Sequence, residues 1–223
     1  MRNGGPSGGS ILWLAWLAWS AAVLPWVAWG FVGDDGLARA AVALGIAVAI
    51  GRDGVDAVRA ALRLDRWPLV WMAGGLAVAL AAPGIDTAGA VGWIAVGYGL
   101  VGLGLDRARW RGLGGAVVSA VAVLPSSAML DPILGWPLRK AIAGVAAAVL
   151  GGIPTASVIA IEGGFAHVDL PCAGVRSLWA GVAVLGCAAV AARRPIDRGA
   201  VAAFAAFAAV AGAANVARVT ALV

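Results

Sequence analysis

The stretch Gly199 to Ala217, GAVAAFAAFAAVAGAANVA, carries no charge and lies between Arg198 and Arg218. As a helix it is about 28 Å long, close to the ~30 Å thickness of a bilayer's hydrocarbon core. This run predicts a membrane crossing, and similar runs recur upstream. Ile11 to Val32 and Leu113 to Leu130 are uncharged, Ile85 to Leu105 is broken only by Asp86, and Val175 to Ala192 only by Arg176. Two shorter runs, Ala40 to Gly51 and Pro68 to Ala82, become long enough if Arg39 snorkels and Trp67 anchors at the interface. The expected fold is therefore all-α: a polytopic membrane helical bundle in a single transmembrane domain over 1–223. It has about seven spans, at 11–33, 37–51, 67–83, 85–105, 113–130, 173–192 and 199–221.

Composition agrees with this reading. Of 223 residues 62% are hydrophobic and 12% charged, and mean hydropathy is +0.95. A disordered chain, a nucleic-acid-binding domain and a disulfide-stapled secreted module are all excluded. Two cysteines cannot make a disulfide framework, and one histidine excludes a His-rich metal site. No metal and no cofactor is expected. The net charge of +5 is explained by where the cations fall. With a cytoplasmic N-terminus, Arg2, Arg52, Arg59, Arg63, Arg66, Arg107, Arg109, Arg111, Arg193, Arg194 and Arg198 all lie inside. Arg39, Arg139, Lys140, Arg176 and Arg218 lie at the opposite ends. These are orientation charges facing lipid and water, and no nucleic-acid partner is implied. The first span, with Trp13, Trp16, Trp19, Trp26 and Trp29, is too long for a signal-peptide core and reads as an uncleaved anchor.

Two segments do not fit the simple pattern. Residues 139–153 read as an interfacial or re-entrant helix, because a crossing there would throw the Arg193 to Arg198 cluster outside. Residues 154–171 read as a short β-hairpin on the outer face. Gly97, Gly99 and Gly102 spell the dinucleotide fingerprint G-x-G-x-x-G, but inside a span the same glycines serve helix packing.

The candidate chemistry gathers after residue 154. His167 and Asp169, two apart in a strand, share a face, so Asp169 could orient the imidazole. Cys172 follows Pro171 at a predicted helix start, where free backbone N–H groups favour a thiolate. Cys187, deep in the same span, reads as a packed structural thiol. Cys172 precedes Arg193 by 21 residues, and Arg218 follows Arg198 by 20. Two antiparallel helices joined at 193–198 therefore bring both groups to one depth, roughly 30 Å from the turn. Asn215, three residues before Arg218, is placed to buttress it.

Cys172-Ala173-Gly174, the Val175-Arg176-Ser177-Leu178 that follows, Asn215-x-x-Arg218 and the preceding hairpin resemble the exosortase and archaeosortase family of membrane transpeptidases. The resemblance covers roughly Pro132 to the C-terminus. It implies a membrane-embedded cysteine protease and transpeptidase in a bacterial cytoplasmic membrane, with its active site on the outer face. Its substrates would be exported proteins with a C-terminal sorting signal of short motif, transmembrane helix and basic tail. These are cleaved through a thioester and passed to a cell-surface acceptor. Cys172 would be the nucleophile and Arg218 the oxyanion donor, with Asn215, Asp169 and Arg176 supporting. Two departures stand out: Ala173 replaces a usual serine, and no histidine follows Arg218 before Val223. The second reads as an interrupted chain, as His167 serving as substitute base, or as an inactive relative that holds the substrate helix as a scaffold.

Overall fold

The computed structural model describes the backbone of residues 8–29, 36–60, 62–124, 131–168 and 175–222. Helices α1 (Gly8–Trp29), α2 (Gly36–Arg59), α3 (Arg66–Ala81), α4 (Asp86–Gly104), α5 (Arg107–Gly112) and α6 (Gly114–Val123) come first. A π-helical turn, Asp131–Gly135, leads into α7 (Trp136–Leu150). Strands β1 (Ile153–Thr155), β2 (Val158–Ile161) and β3 (Gly164–His167) follow, then α8 (Val175–Ala191) and α9 (Arg198–Leu222).

Among the described residues, four segments are long and apolar enough to cross a membrane: Ile11–Ala28, Asp86–Gly104, Ile133–Leu150 and Arg198–Leu222. Arg66–Ala81 and Ser177–Ala191 are apolar but shorter, so the expected count of about seven is not reproduced. The differences have local causes. Helix α2 runs on through Arg52, Asp53, Asp56 and Arg59, which leaves only its first half apolar. The run expected over 113–130 breaks at Leu113, and the described helix α6 ends at Val123. The segment expected as an interfacial helix over 139–153 is α7, shifted three residues earlier and stopped by Gly151 in the left-handed region (φ 68°).

The chain divides into two compact units. The first comprises Met1–Pro125 with Ala183–Asp197, and α4 is its centre, packed against α1, α2, α3 and α6. Glycines make this approach close. A Cβ on Gly75 of α3 would lie 2.6 Å from the Gly92 carbonyl oxygen of α4, so the two backbones touch. Gly97, Gly99 and Gly102 do the same work. Gly97 receives the Trp16 indole, Gly99 the Pro68 carbonyl and Met72, and Gly102 the Trp110 ring. The fingerprint-like spacing is thus a packing surface.

Several buried polar groups in this unit are paired, while the Trp13 Nε1–H has no hydrogen-bond partner among the described residues. Trp16 stacks on Trp93 at 5.1 Å and donates Nε1–H to its carbonyl, while Trp93 donates to Ser20, which donates back to the Trp16 carbonyl. Asp53 is 1% exposed and accepts from Arg109, which also donates to Asp56 at 2.8 Å, and Arg193 lies 3.5 Å from the second Asp53 oxygen. The carboxylates of Asp56 and Asp53 push the Arg109 pKa further up. Cys187 packs half-buried beside Ile46, Ala116 and Val190, as a structural thiol does.

The second unit comprises Ser126–Val182 with Arg198–Val223. The hairpin expected over 154–171 is present as β2 and β3, and β1 extends it to a three-stranded antiparallel meander. Ile153-Pro154-Thr155 is three residues long with a proline, too short to register as a strand in sequence. Both connections are two residues long, with Ala156 (φ 56°) and Gly163 (φ 96°) in left-handed backbone.

Candidate active site

Helix α7 is built for one job in this unit. Its inward face, Ile142, Ala143, Ala146 and Ala147, packs against Ile159 of β2, Val168 just after β3, and Val219 of α9. All seven are buried, and Ile161, Ala166 and Val216 close the rim. The small alanines allow the sheet to lie close on the helix, and burial of Val168 and Val219 fixes where β3 ends against α9.

That core decides what happens one residue earlier in each segment. His167 alternates outward from the buried Val168 and is exposed, paired across the strands with Val158. Arg218 precedes Val219 and is also exposed, with no hydrogen-bond or ion-pair partner among the described residues. The strand carrying His167 and the last turns of α9 therefore meet through adjacent residues. His167 and Glu162 line a polar-rimmed cavity of about 420 Å³ whose far wall is Val219 and Leu222.

Asn215 lines an apolar groove of about 620 Å³ with Leu178, Ile142, Val145 and Gly212, and no hydrogen bond joins it to Arg218 among the described residues. Nothing in the spacing Asn215-x-x-Arg218 distinguished a groove wall from a buttress. Helices α8 and α9 approach each other at one described point. Gly181 faces the Phe207 ring, twelve residues before Arg193 and nine after Arg198 respectively. Cys172, Asp169 and the side chain of Arg176 lie outside the described residues.

The arrangement offers an exposed imidazole, a permanently charged guanidinium and a neighbouring apolar groove at one end of the second unit. A guanidinium of this kind serves to stabilise an oxyanion, and an imidazole to move a proton. Among the described residues no cluster of His, Cys, Asp and Glu is arranged to hold a metal ion. No curated protein and no solved structure matches the chain. The family model described as transmembrane exosortase matches residues 37–223, spanning every residue singled out above in the second unit, and the chain belongs to that family.

Proposed function

We propose that this membrane protein is a cysteine transpeptidase that cleaves a C-terminal sorting signal of exported proteins at the outer face of the bacterial cytoplasmic membrane. In this reading the Cys172 thiolate attacks the scissile carbonyl, and Arg218 stabilises the oxyanion that forms. The peptide amine leaves with a proton delivered by His167, the chain's own histidine. The thioester is then resolved by a nucleophile of the cell-surface acceptor, whose proton passes back to the imidazole. Asp169 and Arg176 support Cys172 and His167, and the groove beside Asn215 lies next to the reacting groups.

One observation carries the proposal: Val168 and Val219 share a buried core. Cys172 is four residues on from Val168, a reach of at most about 14 Å, and that short tether to the core shared with Val219 supports pairing the thiol with Arg218. The Gly181–Phe207 contact supports the same alignment. Nine residues before Gly181 is Cys172, and nine after Phe207 is Val216. Orientation is supported in the first unit, where Asp53, Asp56, Arg109 and Arg193, all from segments assigned to the cytoplasm, meet in one ion cluster.

The test is co-expression with a substrate carrying a sorting signal. Cys172→Ala abolishes the processed form, and Arg218→Gln lowers it by about 10²–10³-fold, as loss of an oxyanion donor does. Unchanged processing in Cys172→Ala overturns the assignment. A scaffold that holds the substrate helix without cutting it would leave Cys172 slow to alkylate below pH ~8, whereas a catalytic thiolate reacts there.

A further inference from the structure

Helix α5 carries arginines at positions 107, 109 and 111, and the structure uses them in two ways. Arg109 is committed to Asp53 and Asp56. Arg107 and Arg111, one helical turn apart, line a different cavity and have no hydrogen-bond or ion-pair partner among the described residues. That cavity, about 450 Å³, lies within the first unit, and its aromatic walls are Trp67, Trp71, Tyr98 and Trp110.

The walls are built rather than incidental. Trp67 and Trp71 are also a helical turn apart on α3, and each keeps about two-fifths of its surface exposed (42% and 41%). Trp71 meets Tyr98 edge-on at 5.2 Å, and Tyr98 stacks on Trp110 at 4.9 Å. Tyr98 and Trp110 hold each other by reciprocal hydrogen bonds to backbone carbonyls, at 3.1 and 3.0 Å. Arg66 lies over the Trp67 ring, 5.5 Å from its centroid. Among the described residues no carboxylate lines the cavity, and Asp106, next to Arg107 in the chain, is occupied by the backbone N–H groups of Ala108 and Arg109. Val117 and Val118 of α6 supply an apolar wall leading away from the arginines.

We propose that this cavity is a binding site for an anionic phospholipid. Two unpaired guanidinium forks are matched to a phosphodiester, and tryptophans of this kind sit at headgroup depth. The apolar wall takes the start of an acyl chain, and basic pockets between membrane helices bind anionic headgroups in this way. A free phosphate would satisfy the arginines but leave the indoles and valines without a ligand.

The experiment uses the full chain in detergent, exchanged into mixed micelles of phosphatidylglycerol and phosphatidylcholine, with retained lipid measured by native mass spectrometry. Phosphatidylglycerol is retained preferentially, and Arg107→Gln/Arg111→Gln lowers its retention by about tenfold. The charge-matched control Arg59→Gln/Arg63→Gln leaves retention unchanged. Trp67→Ala/Trp71→Ala lowers it as well. Arg107→Lys/Arg111→Lys, which keeps the charge and the fold but loses the forks, gives intermediate retention. Equal retention of the two lipids, or an equal loss in the control, overturns the proposal. So does complete displacement by inorganic phosphate together with full retention in the tryptophan variant, which would make the ligand a free anion.

Discussion

Gly181→Ala probes whether the pairing of α8 with α9 sets the reacting groups. A Cβ at Gly181 would run into Cε1, the nearest atom of the Phe207 ring, and would lie 2.6 Å from Cδ1 and Cζ, whereas carbon atoms in contact settle near 3.5–4.0 Å. About 1.5–2 Å must be found. The Phe207 ring is 37% exposed and can yield partly, so the stability cost belongs at the low end of overpacking, about 1 kcal/mol. What the ring does not absorb separates the helices nine residues from Cys172 on one side and from Val216 on the other. Misplacement of reacting groups by about 1 Å costs up to about 10²-fold in rate, so processing of a co-expressed substrate falls roughly 10- to 100-fold while the protein remains folded. Phe207→Ala removes the obstruction, and Gly181→Ala/Phe207→Ala returns processing to within about threefold of wild type. Wild-type processing in the single variant, or a double variant as slow as the single one, would refute the reasoning. The readouts are the processed fraction and the thermal midpoint in the same detergent.

Two further outcomes concern the first unit. Gly99→Ala places a Cβ 2.6 Å from the Pro68 carbonyl oxygen and is expected to lower stability by about 1–2 kcal/mol. Gly89→Ala on the same helix meets nothing within 4 Å and gains up to about 1 kcal/mol from helix propensity, so thermal unfolding of the two variants shifts in opposite directions. Asp106 has its pKa lowered from the usual 3.8, chiefly by the backbone N–H of Arg109. A carboxylate whose folded pKa is depressed contributes stability at neutral pH that is lost as pH falls below 3.8 toward the folded value. The melting difference between wild type and Asp106→Ala is therefore expected to shrink on acidification from about pH 5 to pH 2.5, and a constant difference would show that the cap contributes nothing.

Much of this molecule could be read in order along the chain. The apolar runs at 11–33, 85–105 and 199–221 are found largely within α1, α4 and α9, because length and apolarity are properties of a segment alone. The packing role of Gly97, Gly99 and Gly102 followed from their place within a span. Reading failed where a distant residue changed the local balance. Charges at Arg52 and Asp53 mark the end of a span by composition, yet α2 continues to Arg59, since Arg109 and Arg193 supply partners for the buried Asp53. Spacing alone did not show that Asn215 would line a groove with Leu178 and Ile142.

Periodicity and charge thus established a membrane chain of apolar helices. They could not establish that Val168 would be buried against Val219, or that Arg107 and Arg111 would share a cavity with Trp67 and Trp71. Those facts depend on which shapes fit together across 36 or more residues of chain, and complementarity of that kind is encoded in no single segment.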